Sequence, residues 1–151
     1  MADIVWPTVL AALRDVASAA LSPDPVFDGP PVTGDDLTTF AIVGADLDEG
    51  GAGNWSSEIT TIGRPFRVQE RGTVNSLVIS QTGDTDIAAS RTAVFIAAEK
   101  ILDAVNADPS LGLSSVVAAQ ADTGRVVMMQ TSSGAYTEVS IVLSYTAITG
   151  A

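Results

Sequence analysis

Three carboxylates stand close together in the segment Asp46-Leu-Asp-Glu-Gly-Gly-Ala-Gly-Asn54. Asp46, Asp48 and Glu49 are near enough in sequence to share a hard cation such as Ca²⁺ or Mg²⁺, which prefers oxygen ligands. The spacing matches no EF-hand, because the third ligand and the distal glutamate are absent. We interpret the segment as a solvated, mobile acidic loop within residues 45–63, with a cation site as the alternative.

Other catalytic uses of these residues find little support in the sequence. A carboxylate pair for glycoside hydrolysis normally sits on rigid elements in an aromatic-lined cleft, whereas aromatic residues make up only 5% of this chain. The run Gly50-Gly-Ala-Gly53 could cradle a phosphate, but no lysine follows it and three carboxylates precede it. The single lysine, Lys100, stands beside Glu99 on a predicted helix, as an ordinary surface lysine does. We therefore expect no enzymatic activity, no cofactor and no bound metal.

A group of arginines follows the acidic segment. Arg64, Arg67 and Arg71 concentrate positive charge in a strongly negative chain. Two interpretations stay open: a charged strand edge that resists aggregation, or a contact with the acidic residues of a neighbouring copy. Trp55, an amphipathic aromatic residue on the predicted loop, is a further candidate for a contact. The candidate interface residues are Arg64, Arg67, Arg71, Asp46, Asp48, Glu49 and Trp55.

Composition narrows the possible functions further. The 151 residues include neither cysteine nor histidine, which excludes disulfides, thiolate nucleophiles and histidine-based catalysis. A formal charge of −11 disfavours binding to nucleic acid or to an anionic membrane. No apolar run is long enough to cross a bilayer, and the N-terminal segment lacks the form of a signal peptide. With 46% hydrophobic residues, we expect one soluble, unsecreted domain over residues 1–151.

Apolar spacing predicts two helices. The first helix runs from about Trp6 to Leu21, with Pro7 in its first turn, and ends at Ser22-Pro-Asp-Pro25. The second is long, is capped by Asp84 or Thr85, has Asp86 in its first turn, and closes at Asn106-Ala-Asp-Pro109.

The rest of the chain is predicted to be mostly extended. The sequence predicts a short extended piece at 26–32 that runs into a rigid turn, and a short buried strand at 40–44. It also predicts a hairpin of 66–71 with 74–80 that turns at Gly72. It predicts a second hairpin that turns at Asp122-Thr-Gly124, followed by a turn at Ser132-Ser-Gly134 and a clearly alternating final strand. This order favours an α+β fold: an antiparallel or mixed sheet with an N-terminal helix and a long central helix packed on one face.

The layout and several short phrases resemble the tail terminator proteins of long-tailed siphophages, especially those of actinobacteria. The phrases are Val26-Phe-Asp-Gly-Pro30, Phe66-Arg-Val-Gln-Glu-Arg-Gly72, Asp108-Pro-Ser-Leu-Gly112 and Gly134-Ala-Tyr-Thr-Glu-Val-Ser-Ile141, together with a central helix that contains Arg91. The resemblance extends over nearly the whole chain and is weakest over residues 45–63. The family has no catalytic signature.

The resemblance implies a homohexameric ring at the head-proximal end of a virion tail, assembled in the host cytoplasm. Its partners would be further copies of itself, the tail tube protein and the neck or connector proteins on the head side. Double-stranded DNA would pass through the lumen without specific binding, and no membrane would be involved. The alternatives are another tail or neck component, such as a tail tube or stopper protein, and, less favoured, a carboxylate or metal enzyme.

Overall fold

The computed structural model describes residues 4–29, 39–45, 51–61, 67–132 and 134–150. Within these ranges, two helices and six strands follow one another in the order α1, β1, β2, β3, β4, α2, β5, β6. The helices are α1 (Trp6–Leu21) and α2 (Ile87–Ala107), and the strands are β1 (Val26–Asp28), β2 (Thr39–Val43), β3 (Gly53–Thr61), β4 (Arg67–Gln81), β5 (Val116–Thr131) and β6 (Gly134–Gly150).

The six strands form one mixed sheet in the order β1-β2-β4-β6-β5, and β3 also pairs with β4. Only β1 and β2 run parallel; the other described pairs are antiparallel. The long strand β4 is paired twice along one side, by β3 next to its first half and by β2 next to its second half. At the level of β3, the sheet is therefore four strands wide, in the order β3-β4-β6-β5.

Both helices pack on the same face of the sheet, which we call the helix face. The buried stripe of α1 consists of Val9, Leu13, Ala17 and Leu21, and that of α2 includes Val94, Ile101 and Val105. These side chains join alternate residues of β4 and β6 in the main core. The predicted α+β fold with both helices on one face is thus confirmed.

A smaller core cluster lies on the other side of the sheet, which we call the opposite face. Phe27 and Phe40 meet edge to face there, with ring centroids 6.0 Å apart. Ile42, Leu77 and Ile79 complete the cluster together with Ala45 and Tyr136. The second half of β4 is therefore buried on both faces, whereas its first half is open on the opposite face.

The ends of the helices follow local chemistry, with one correction. Helix α1 ends before Pro23, as predicted. Helix α2 is capped by Asp86, whose carboxylate accepts a hydrogen bond from the Ala89 N–H at 3.0 Å, and the predicted caps Asp84 and Thr85 are wrong. The Asp84 side chain instead accepts from the Asp86 N–H at 2.9 Å, which orients the cap.

The predicted hairpin turn at Gly72 is wrong, because β4 passes straight through this residue. A Cβ atom at position 72 would lie 2.6 Å from the Asn54 carbonyl oxygen and 2.7 Å from the Tyr145 hydroxyl. Glycine is needed here for close packing between strands and not for a turn. This half of β4 pairs instead with β3 on one side and with β6 on the other. Strand β3 lies within the segment predicted to be a loop, so that prediction is wrong for residues 53–61.

The predicted turn at Asp122-Thr-Gly124 is also wrong. Strand β5 continues through it, and the register against β6 shifts between Thr123 and Val126. The Arg125 N–H donates to Ser140 Oγ at 2.6 Å, and a Cβ at Gly124 would meet that same oxygen. The small residue thus permits a bulge and not a reversal. The chain reverses between Thr131 and Gly134, which pair with each other, and this agrees with the predicted turn. Strand β6 buries Thr137, Val139, Ile141, Leu143 and Tyr145.

Candidate interaction surfaces

The structure places three of the candidate interface residues on adjoining strands. Arg67 and Arg71 lie on β4, and Trp55 lies on β3, where it pairs with Gly72. The other four candidates, Arg64, Asp46, Asp48 and Glu49, lie outside the described residues. The predicted grouping of arginines with the acidic segment therefore stays a prediction.

Arg67 and Arg71 are both exposed, and both point to the opposite face, away from the main core. With its amide oxygen turned toward Arg71, Gln69 accepts from Nε at 2.9 Å and from Nη2 at 3.0 Å. These two bonds hold the guanidinium in one orientation, which lowers the entropy lost when it meets an anionic partner.

Arg71 forms part of the wall of a wide groove of about 670 Å³ on the opposite face. The groove crosses all four strands at the level of β3, and most of its polar side chains are neutral: Asn54, Ser56, Thr73, Gln120, Ser144 and Thr146. A smaller depression of about 280 Å³ adjoins it, where Glu58 and Gln69 also face Arg71. The lining therefore presents many neutral hydrogen-bonding groups and one positive charge, that of Arg71, to a broad partner surface.

The edge formed by β3 carries large apolar side chains on the helix face. Trp55 is 46% exposed and Ile59 is 62% exposed. Between them Ser57 pairs with Glu70, and Glu70 accepts the backbone N–H of Val5 at 2.9 Å. Ile4, the neighbour of Val5 in the chain, is also apolar and 51% exposed.

The edge formed by β5, on the far side of the sheet, is also apolar. Val117, Val126, Met128 and Met129 are between 43% and 60% exposed. Met128 pairs with Thr137 on the helix face, and Arg91 Nη1 lies 3.9 Å from its sulfur. Helix α2 therefore lies beside the β5 edge, and the N-terminus of α1 lies beside the β3 edge.

Glu70, which was not predicted to have a role, connects the β3 edge to the core. Its carboxylate is 3% exposed and accepts hydrogen bonds from Val5 N at 2.9 Å and from the Tyr145 hydroxyl at 2.5 Å. Helix α1 has no side-chain cap at Val5. Because the Glu70 carboxylate binds the Val5 N–H, it lies at the N-terminus of the helix, where the helix dipole favours an anion. Burial raises the pKa of Tyr145 well above its usual range, and its bond to Glu70 adds to the shift.

A second buried carboxylate, Glu138, lies on the opposite face near the β5 edge. It is 3% exposed, accepts from the Tyr136 hydroxyl at 2.7 Å, and has Arg125 Nη2 at 3.6 Å from its other oxygen. Burial raises the pKa of Tyr136 above its usual range, and the bond and charge of Glu138 add to the shift. A charged residue on the apolar side of an alternating strand was the sequence signal for Glu70, whereas Glu138 lies among the polar residues of β6 and gave no such signal.

In the part of the chain that the structure describes, no group of three acidic side chains is close enough to hold a metal ion. Among those same residues, neither helix has the length and apolarity required to cross a membrane. What the described surface offers is contact: two apolar sheet edges, one oriented arginine and a polar groove.

No protein-family model and no curated protein sequence matches the chain. Solved structures do match it. One is a chain in the structure described as the virion of a native gene transfer agent particle, with a TM-score of 0.59 and 16% sequence identity. The match covers 93% of this chain and 95% of that chain, so the two share one fold over nearly their whole length.

Proposed function

We propose that this chain is a structural virion protein that assembles into a ring and caps the head-proximal end of a tail tube. The ring would stop polymerisation of the tube and join it to the neck proteins on the head side. The observation that carries this proposal is the shared fold, end to end, with a chain of a gene transfer agent virion. The resemblance to tail terminators in layout and short phrases supports the more specific role.

The described surface fits a ring subunit in two respects. Its two apolar edges lie on opposite sides of one sheet, as a subunit with a different neighbour on each side requires. The exposed residues of the groove are mostly neutral and polar, which suits a surface that meets another macromolecule without trapping it.

The proposed interface includes the arginines. Arg64, Arg67 and Arg71 would meet the acidic residues Asp46, Asp48 and Glu49 of the neighbouring copy, and Trp55 would add apolar area. Reversing charge at Arg67 and Arg71 together should weaken ring formation or attachment of the ring to the tube. Virions completed at the normal rate by the double variant would exclude this contact.

DNA passage is compatible with the charge of the subunit. A formal charge of −11 per copy disfavours binding to phosphates, so a lumen formed from such subunits would let double-stranded DNA slide. The same charge makes free copies repel one another, and added salt screens this repulsion. Sedimentation should therefore show mostly monomers at low salt and more self-association at high salt.

Tail assembly with and without the protein tests the proposed role directly. Tube protein alone should polymerise beyond the normal tail length, and addition of this chain should give tubes of regular length with a ring at one end. Electron microscopy measures both outcomes. Tails of normal length with sealed ends in its absence would contradict the capping role, and filaments of this chain alone would favour a tail tube protein.

A further inference from the structure

Strands β3 and β5 are the two long edges of the described sheet. Each pairs with a single neighbour among the described residues, β3 with β4 and β5 with β6. Natural proteins usually protect such edges with charged side chains, because unpaired backbone groups recruit another strand. Here β3 carries one charged residue, Glu58, and β5 carries two, Asp122 and Arg125. Both edges are poorly protected.

The strand directions determine how the two edges can meet. Strand β5 is antiparallel to β6, β6 to β4, and β4 to β3, so β5 and β3 run in opposite directions. When a second copy is placed beside the first by rotation about an axis along the strands, its β3 is antiparallel to the first copy's β5. The helices of both copies then stay on the same side. Because each copy uses two different edges, the contact repeats from copy to copy and can close into a ring.

Side chains at the same height fit this arrangement. Trp55 pairs with Gly72, Gly72 with Tyr145, and Tyr145 with Ala119, which places Trp55 level with Ala119. On the helix face of this stretch of β5, Ala119 and Ala121 are already buried in the main core. The neighbouring Val117 is exposed, so an incoming Trp55 would gain an apolar neighbour there.

The exposed side chains near the two edges differ in net charge. Arg67, Arg71 and Glu58 lie beside the β3 edge, which makes two cations and one carboxylate. Asp122 and Arg125 lie beside the β5 edge, which makes one carboxylate and one cation, and the glutamates Glu70 and Glu138, one beside each edge, are both buried. Arg71 and Asp122 are both on the opposite face, so they would lie on one side of a shared sheet.

We infer that β5 of one copy pairs antiparallel with β3 of the next, so that the sheet continues from subunit to subunit around the ring. This contact rests on the ring proposed above and specifies its interface. Backbone hydrogen bonds supply the attraction, Trp55 adds apolar contact beside the exposed Val117 of β5, and Arg71 lies on the same side of the shared sheet as Asp122.

Paired cysteines test the contact cleanly, because the chain has none of its own. Gln120→Cys is combined in turn with Asn54→Cys, Ser56→Cys and Glu58→Cys, all on the opposite face. Within one copy three strand spacings, about 14 Å, separate these positions, too far for a disulfide. Oxidation of rings on tube ends should give a ladder of covalent oligomers with one of the three pairs, and that pair fixes the register.

Control variants test whether the crosslinks and the loss of capping are specific to the proposed contact. Gln120→Cys alone should stay monomeric on a denaturing gel, and so should Gln120→Cys with Ser18→Cys, which lies on α1. Trp55→Ala should reduce the fraction of capped tubes about tenfold or more at limiting protein. Ile96→Ala, a truncation at a similarly exposed apolar residue on α2, should leave it unchanged.

Each other outcome contradicts the inference in a recognisable way. Efficient dimers from Gln120→Cys alone would mean that β5 meets β5 about a twofold axis. Rings that cap tubes normally but give no ladder with any pair would exclude the edge contact and leave the proposed function standing. Absence of rings and of capping, with folded protein in solution, would overturn both.

Discussion

Glu70 and Glu138 are two buried carboxylates on opposite faces of the same sheet, and the chain satisfies them differently. Each is 3% exposed and each accepts a tyrosine hydroxyl. Glu70 has as its second described partner a backbone N–H at the start of α1, whereas Glu138 has the guanidinium of Arg125, whose side chain is 44% exposed. One charge is held inside the fold, and the other connects to the surface.

The difference shows what each glutamate contributes. Glu70 binds a backbone N–H at the uncapped start of α1 and joins that helix to β4 and β6. Replacing Glu70 should therefore weaken the contacts among all three elements. Glu138 joins β6 to the edge strand β5, where water can hydrate Arg125 if the carboxylate is removed. We therefore expect substitutions at the first site to destabilise the fold more than matched substitutions at the second.

The largest effect is expected for Glu70→Ala. It leaves the Val5 N–H and the Tyr145 hydroxyl without an acceptor in a buried site, at a cost of about 3 kcal/mol in the free energy of unfolding. Glu138→Ala should cost about 1 kcal/mol, because Arg125 can turn to solvent. Urea unfolding of both variants measures the difference, and an equal or reversed order would contradict the comparison. Glu70→Gln, which keeps one acceptor oxygen, should recover part of the loss.

A smaller effect is expected for the two tyrosines. Tyr145→Phe removes one of the two described donors to Glu70 and should cost about 2 kcal/mol, the range for hydrogen bonds to charged groups. Tyr136→Phe leaves Arg125 beside Glu138 and should cost about 1 kcal/mol. Thermal and urea unfolding report both values. A greater loss at Tyr136 would mean that Arg125 contributes little at this site.

Alkaline pH should weaken the fold through the same tyrosines. Both have a folded-state pKa raised above the usual value, by burial first and by the adjacent glutamate second. The unfolded chain can lose these protons above about pH 10 while the folded chain keeps them, so stability is full below that pH and falls as the pH rises further. Unfolding free energies near pH 8 and about pH 11 should differ less in Tyr145→Phe than in the unchanged chain. An unchanged difference would exclude Tyr145 as a source.

The comparison also shows which parts of the fold can be predicted from sequence. Both helices and strand β6 follow from the period of their apolar residues, since burial on one face imposes that period. Gly72 and Gly124 misled the prediction because glycine permits a turn, but here it permits close contact with Tyr145 and Ser140 across strands. Such a contact depends on a partner strand that the local sequence does not contain.

The candidate surface was harder to predict than the fold. Alternation correctly placed Arg67 and Arg71 outside the core, because side chains alternate between faces in any strand. Trp55 was assigned to a loop, although Trp55 and Ile59 have the even spacing of a strand that covers one face. The partners of Glu70 lie 65 and 75 residues away in the chain, which local spacing cannot reveal.

The smallest effect is expected at Arg125, where the surface-connected charge pair can be weakened directly. Arg125→Ala removes a cation 3.6 Å from Glu138, but solvent already screens its half-exposed side chain, so the loss should stay below about 1 kcal/mol. Added salt should narrow the difference between this variant and the unchanged chain, because screening acts on an exposed charge. A double-mutant cycle with Glu138→Gln isolates the pair from other contacts of Arg125. A coupling as large as the loss in Glu70→Ala would mean that Glu138 is also held by a strong internal partner, and the contrast between the two carboxylates would disappear.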